Sequence, residues 1–372
     1  MIPPAFEVLA GDVRARLAEL PEDHFQTCIT SPPYWRLRRY LPAGDPAAEL
    51  EIGSEATFER WISVMVEVLD GVRRVLRPDG TLWLNLGDSY NTNEHGSSGL
   101  KKTGKTPRYV KGTGRGRVPG LKHKDLIGQP WALAFALRAA GWWLRSEIIW
   151  AKPNPLPESV RDRPAKAHET VFLLSRAERY FYDAAAVREP GVALAERNLR
   201  SVWTFPTEGA TPGSDHHAAF PRALVEPCVL AGTSERGACP ACGAPWARRL
   251  SSAKGGSIGK SWHPHEDDER TGHAKASTPP GYEPPRTLGW EPSCRCGAAL
   301  EPIPCAVLDP FAGTGTTGEV ALRHGRSFVG VELNPAWTSF AKRRLDRALA
   351  AGGAPLFDRR ATAPARDREL FA

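Results

Sequence analysis

The segment Thr30-Ser31-Pro32-Pro33-Tyr34-Trp35 carries the densest chemistry in the chain. A serine hydroxyl beside a prolyl carbonyl presents two acceptors, and the two prolines stiffen the turn and remove competing N–H donors. Such a pair suits an exocyclic amino nitrogen of a base, a poor nucleophile because its lone pair is delocalised into the ring. Accepting both of its N–H groups draws the nitrogen towards tetrahedral geometry, and these contacts strengthen as positive charge develops on it. Tyr34 and Trp35 offer a stacking surface for a base turned out of a helix. Taken alone, the tetrapeptide also reads as a rigid strand-end turn with an incidental aromatic.

A second segment, Ala306 to Gly318, runs from an apolar strand through Asp309-Pro310-Phe311-Ala312-Gly313-Thr314-Gly315-Thr316 into a helix. Its glycines fit G-x-G-x-x-G, which lets backbone approach a nucleotide-like ligand. Glu332 follows the next strand, 23 residues after Asp309, where an acid can bind two ribose hydroxyls. The glycines fit a nicotinamide dinucleotide as well as S-adenosylmethionine. Asp309, placed to hold an ammonium group, favours the methyl donor, as does the lack of a second nucleotide-binding half downstream.

Four of the seven cysteines form close pairs, Cys239/Cys242 and Cys294/Cys296. Clustered thiolates in a reducing compartment suit tetrahedral zinc, although the one-residue spacing of the second pair is less specific. His263, His265 and His273 lie between the pairs and read as solvated loop residues. Cys28, Cys228 and Cys305 stand in apolar segments and read as small core residues.

The net charge of +7 is local. Lys101, Lys102, Lys105, Arg108, Lys111, Arg115, Arg117, Lys122 and Lys124 fall in one stretch with no acid, leaving the remainder near −2. A glycine-rich basic segment over 91–127 suits phosphate contacts, and equally a solvated surface loop. The amino terminus has no leader pattern, and the longest apolar run, Trp131 to Leu144, is too short to span a bilayer. The expectation is a soluble, cytoplasmic protein with no membrane partner.

The elements that must position these groups are legible from periodicity. Strands are expected at Phe6–Leu9, Thr27–Thr30, Thr81–Leu86, Leu144–Trp150, His168–Leu174, Ala306–Leu308 and Ser327–Val331. Helices are expected at Asp12–Leu20, Phe58–Leu76, Pro130–Ala140, Gly318–Gly325 and Ala336–Leu349. Arg77 to Gly80 reads as a turn, Gly191–Ser214 as irregular, Gly237–Gly297 as an inserted module, and 352–372 as a disordered tail. Strands alternating with helices predict a parallel, doubly wound α/β sheet.

In this order the motifs resemble the β class of DNA amino-methyltransferases, whose catalytic motif precedes its cofactor motif. Ser31-Pro32-Pro33-Tyr34 matches the class tetrapeptide, Asp309 to Gly315 the cofactor turn, and Glu332 its following acid. Phe220-Pro221 with Leu224, Gly80 to Asp88 and Ile148 to Asn154 are similar to further core segments of the class. The resemblance covers roughly 1–235 and 300–350. It implies a seven-stranded Rossmann-like methyltransferase sheet with a small zinc-ribbon-like module inserted at 237–298. It also implies S-adenosyl-L-methionine as donor, held by Asp309, Phe311, Gly313, Gly315, Thr316 and Glu332, with Asp12 near the adenine by looser analogy. Double-stranded DNA is the implied partner, in the setting of a cognate restriction endonuclease, with the cysteine module where the class places target recognition. A leading serine is usual among cytosine-N4 enzymes and aspartate among adenine-N6 enzymes, which favours cytosine. The rivals are an adenine-N6 enzyme, an amino-methyltransferase of protein or RNA, a catalytically dead DNA-binding scaffold and a nicotinamide-dependent oxidoreductase.

Overall fold

The computed structural model describes residues 4–35, 40–41, 44–91, 118, 120–190, 196–209, 220–252, 284–296 and 301–351. Of the expected basic segment 91–127, residues 92–117 and 119 lie outside them, as do the three histidines and the tail 352–372.

Eight strands form the main sheet: β1 (Phe6–Ala10), β2 (Phe25–Thr30), β3 (Leu76–Leu86), β4 (Trp143–Ala151), β5 (His168–Ser175), β8 (Val202–Thr204), β11 (Ala306–Asp309) and β12 (Ser327–Glu332). Two short hairpins lie apart from it, β6 (Glu189–Pro190) with β7 (Glu196–Arg197), and β9 (Ala247–Leu250) with β10 (Thr287–Glu291). The order in the main sheet is β1-β12-β11-β2-β3-β5-β4-β8. Only β5 runs against the rest. This corrects the expectation of a wholly parallel sheet. The connection from β4 to β5 holds no helix, so the chain returns directly and pairs antiparallel instead of crossing over. The short β8 makes eight strands where the resemblance implied seven.

Three helices cover one face: α1 (Val13–Glu19), α2 (Phe58–Val75) and α3 (Gln129–Ala139). Three cover the other: α4 (Arg222–Gly232), α5 (Thr316–Arg323) and α6 (Pro335–Ala350). The strands serve both layers by their two-residue alternation. Cys28, Leu82 and Leu84 point into the first core, while Ile29 and Trp83 point into the second. Helix α2 starts at Thr57, whose side chain accepts from Arg60 N at 3.1 Å, and buries Trp61, Met65, Leu69 and Val72 at helical spacing. The expected turn at Arg77–Gly80 is instead part of β3, where Leu76 already pairs with Phe25 and a register shift precedes Thr27. Cys28, Cys228 and Cys305 are buried, as expected of small core residues.

Candidate active site

Because β5 is reversed, its first residues lie at the same sheet edge as the last residues of the other strands. Asp12 after β1, Ser31 after β2, Asp88 after β3, Lys152 after β4, Glu169 at the start of β5, Asp309 ending β11 and Glu332 ending β12 therefore share one edge. Open α/β sheets bind ligands at this carboxyl edge, where the strand order reverses. An open cleft of about 890 Å3, its mouth included, lies there. Its walls include Asp12, Ser31, Asp309, Phe311, Gly313, Thr316 and Glu332 from the expected set, together with Tyr40, Phe220 and Trp337.

On the nucleotide side, Glu332 accepts from Gly313 N at 2.9 Å with one oxygen and from Asn334 N at 2.8 Å with the other. Removal from water raises its carboxyl to about 7. Asp309 is only 2% exposed. Its carboxylate accepts from the Thr30 hydroxyl (2.7 Å), the Thr317 hydroxyl (2.7 Å) and Phe311 N (3.1 Å), filling three of its roughly four acceptor sites. Burial lifts it to about 6, against the lowering effect of these bonds. Thr30 and Thr317 thus tie the catalytic strand to the glycine turn through one carboxylate. Gly318 lets α5 lie against β12, because a Cβ there would stand 2.5 Å from the Phe328 ring. Asp12 caps α1 by accepting from Arg14 N and binds the Arg14 guanidinium through both oxygens. Burial works to raise its carboxyl, but Arg14 outweighs that and holds it below the ordinary value.

On the catalytic side, Ser31-Pro32-Pro33-Tyr34 is braced from beneath. The buried Trp61 donates from Nε1 to the Pro33 carbonyl at 3.1 Å. Among the described residues no donor reaches the Pro32 carbonyl. The Tyr34 ring lies against Gly87, where a Cβ would stand 2.7 Å from Cε2. Its hydroxyl donates to Glu169 Oε2 at 2.9 Å and lies 3.2 Å from Ser31 Oγ. Asn85 Nδ2 donates to Glu169 Oε2 (2.9 Å), Tyr34 Oη (3.2 Å) and Ser31 Oγ (3.3 Å). Lys152 Nζ meets Glu169 Oε1 at 2.5 Å. Burial works to raise the Glu169 carboxyl, but Lys152 with the Asn85 and Tyr34 donors holds it below its ordinary value. Burial and the Glu169 charge push Tyr34 well up, so it stays a neutral phenol.

Trp35 requires correction. In place of the expected DNA contact, its indole is 3% exposed. It donates from Nε1 to Glu55 O and packs tilted on Phe58, while its amide donates to Gln129 Oε1. It anchors the tetrapeptide to the core, and stacking on a base falls to Tyr34 within this segment. Asn85, Lys152 and Glu169 do not stand out as functional in the sequence. The available signal is a polar residue inside the apolar run Leu82–Leu86, and an acid opening one core strand opposite a lysine closing another.

The cysteine pairs converge. The sulfurs of Cys239, Cys242, Cys294 and Cys296 all lie within 4.8 Å of one another. Tetrahedral zinc with four thiolates at about 2.3 Å needs sulfurs about 3.8 Å apart, so the donor set fits with a small contraction. The knuckle is rooted at the opposite, amino edge of the sheet. The Gln26 amide donates to the Gly243 carbonyl at 2.8 Å, Arg77 donates to the Cys242 carbonyl, and Ala238 exchanges both backbone bonds with Ile303. Gln26 is the second residue of β2 and Ser31 follows the strand, so the two are about 16 Å apart at about 3.3 Å per residue. The described part of the module therefore sits away from the catalytic edge, unlike a target-reading element beside it.

A DNA methylase family model, that of the N6/N4 methyltransferases, matches residues 25–239 and 306–343. The chain belongs to this family. The match breaks off just where the cysteine module intervenes. The chain is 37% identical over 92% of its length to Type II methyltransferase M.SmaI of Serratia marcescens, covering 91% of that protein. It is 36% identical over 90% of its length to Type II methyltransferase M.Cfr9I of Citrobacter freundii, covering 86% of it. Among solved structures, the fold is shared with PvuII DNA methyltransferase (cytosine-N4-specific), with a TM-score of 0.51 and 15% identity over 94% of this chain and 95% of that one. No helix among the described residues is long and apolar enough to cross a membrane.

Proposed function

We propose that this DNA methylase moves a methyl group from S-adenosyl-L-methionine to the exocyclic N4 of a cytosine flipped out of double-stranded DNA at a specific site. The observation carrying this reading is that Ser31, Asp309 and Glu332 line one cleft at the carboxyl edge of the sheet. When bound, the donor supplies an electrophilic methyl on a sulfonium centre. Glu332 accepts from the two ribose hydroxyls, and the spare lone pair of Asp309 faces the donor's ammonium. Gly313, Thr314 and Thr316 form the floor, with Phe311 as apolar wall and Asp12 towards the adenine, while Gly315 starts α5 and lies against Ala341 of α6. Ser31 Oγ and Pro32 O accept the two amino hydrogens and hold the nitrogen lone pair towards the methyl carbon. Tyr34, its hydroxyl held by Glu169 and its ring against Gly87, is assigned to stacking on the base.

Serine at the head of the tetrapeptide supports cytosine over adenine. Lys101, Lys102, Lys105, Arg108, Lys111, Arg115 and Arg117 are assigned to phosphate contacts. The relatedness to Type II methyltransferases supports pairing with a restriction endonuclease of the same specificity. Zinc held by Cys239, Cys242, Cys294 and Cys296 supplies folding free energy at the amino edge and takes no part in methyl transfer. Nucleoside mass spectrometry of unmethylated DNA treated with enzyme and donor tests the base assignment. N4-methylcytosine is expected, and N6-methyladenine refutes cytosine while keeping the reaction.

A further inference from the structure

We infer that Ser31, Tyr34 and Glu169 form a one-way proton relay that carries the proton shed by the target amine from the cleft to a half-buried carboxylate. This rests on the methyltransferase reading above and adds to it a route for the proton.

The direction of the relay follows from donor and acceptor chemistry. Glu169 is an ionised carboxylate and can only accept, so the hydroxyl of Tyr34, 2.9 Å away, must donate to it. Tyr34 has one proton, now committed, so at 3.2 Å the Ser31 hydroxyl is the donor and Tyr34 Oη the acceptor. The same rule orients the Asn85 amide: its nitrogen faces Glu169 Oε2 at 2.9 Å, because an amide oxygen there would oppose a carboxylate. The second donor contacts of Asn85, to Tyr34 Oη and Ser31 Oγ, reinforce this polarity. One Ser31 lone pair remains for the cleft that Ser31 lines. Every link therefore points from the cleft inward, towards a negative charge held in place by Lys152.

The step balances. As the amine nitrogen bonds the methyl carbon, the carbon–sulfur bond breaks and its electron pair stays on sulfur. The nitrogen, now positively charged, releases one proton to Ser31 Oγ. Ser31 passes its own proton to Tyr34 Oη, and Tyr34 passes its proton to Glu169 Oε2. The amine ends neutral and methylated, Glu169 ends as a neutral acid, and no further reactant is needed. Two hydroxyls and a carboxylate in this order also raise the acceptor strength of Ser31 before transfer, when it grips the N–H. Asn85 and Lys152 are positioning residues, the first aligning three acceptors and the second holding the carboxylate charged.

Single-turnover methylation by rapid quench tests this with wild type, Tyr34→Phe, Glu169→Gln and the double variant, with DNA and donor affinity measured separately. Tyr34→Phe keeps the ring for stacking and removes the relay. Glu169→Gln keeps an oxygen acceptor for the Tyr34 hydroxyl and removes proton uptake, while turning its amide nitrogen towards the Lys152 ammonium. Each single change is expected to slow transfer about 10- to 100-fold, below the full range for general base catalysis because water can substitute. Both affinities should stay within about threefold. The double variant should be no slower than either single one. The wild type should run slower in heavy water, and Tyr34→Phe, with one relay proton fewer in flight, should show a smaller effect. Tyr34→Phe at the wild-type rate overturns the relay alone. So does Glu169→Gln at the wild-type rate, or a loss in either variant confined to binding. No transfer to DNA by the wild type overturns the methyltransferase reading and the relay together.

Discussion

Donor affinity should follow the ionisation of Glu332. In the free protein this carboxyl titrates at about 7, since burial outweighs the N–H groups of Gly313 and Asn334. Two ribose hydroxyls donate to it in the proposed complex, which favours the ionised form and lowers its pKa on binding. Protonation before binding must then be undone, so affinity rises with pH through 7 and falls on the acid side. With a pKa of 7 the ionised fraction is about 76% at pH 7.5 and about 9% at pH 6, an eightfold loss. Asp309, at about 6, adds a further factor of about two at pH 6. Glu332→Ala removes two charge-assisted hydrogen bonds of about 1.5–3 kcal/mol each, a 100-fold loss or more. It should also flatten the pH response to the twofold due to Asp309. Isothermal titration of S-adenosylmethionine between pH 6 and 7.5 reads both effects, and repeating it in buffers of different ionisation heat shows proton release. Wild-type affinity constant across that range, or Glu332→Ala within threefold of wild type, would refute the reasoning.

Gly87→Ala places a methyl 2.7 Å from the Tyr34 ring, and should slow methyl transfer at least tenfold with donor affinity unchanged by titration. Gly318→Ala meets Phe328 at 2.5 Å between α5 and β12, and should lower the melting temperature by several degrees, read by calorimetry. Metal analysis should find about one zinc per chain. Cys239→Ser or chelation should lower thermal stability while leaving DNA affinity in the cold within about threefold, because Gln26 and Arg77 couple the knuckle to the amino edge. Deleting residues 101–117 should flatten the salt dependence of DNA affinity, by up to about 0.9 in log–log slope for each phosphate that the segment neutralises.

Much of the site is legible in the sequence because its chemistry is carried by short contiguous segments. Ser31–Tyr34 and Asp309–Thr316 are each a strand end followed by a turn, and local spacing places such groups at a sheet edge. Glu332 is recoverable for the same reason. Less accessible is everything that depends on a partner far along the chain. Trp35 reads as an exposed aromatic until Gln129 and Glu55 claim its donors, 94 and 20 residues away. Glu169 acquires meaning only once β5 reverses and sets it beside Tyr34, 135 residues distant. That reversal follows from the lack of a crossover helix after β4, whereas the run His168–Leu174 looks the same in either direction. Helix α4 escapes a local reading because Pro227 sits inside it, where tertiary burial of Leu224, Cys228 and Val229 outweighs the local preference. The cysteine pairs announce a metal knuckle, but only the contacts of Gln26 and Arg77 reveal which edge of the sheet it braces.

Methyl transfer to DNA through Ser31 is tested most directly with methyl-labelled S-adenosylmethionine and unmethylated DNA, comparing the wild-type protein with Ser31→Ala. Label is expected on DNA at a limited number of sites, with transfer at least 100-fold slower in Ser31→Ala and donor affinity within threefold. Label absent from DNA while the donor still binds, or Ser31→Ala transferring at the wild-type rate, would contradict it.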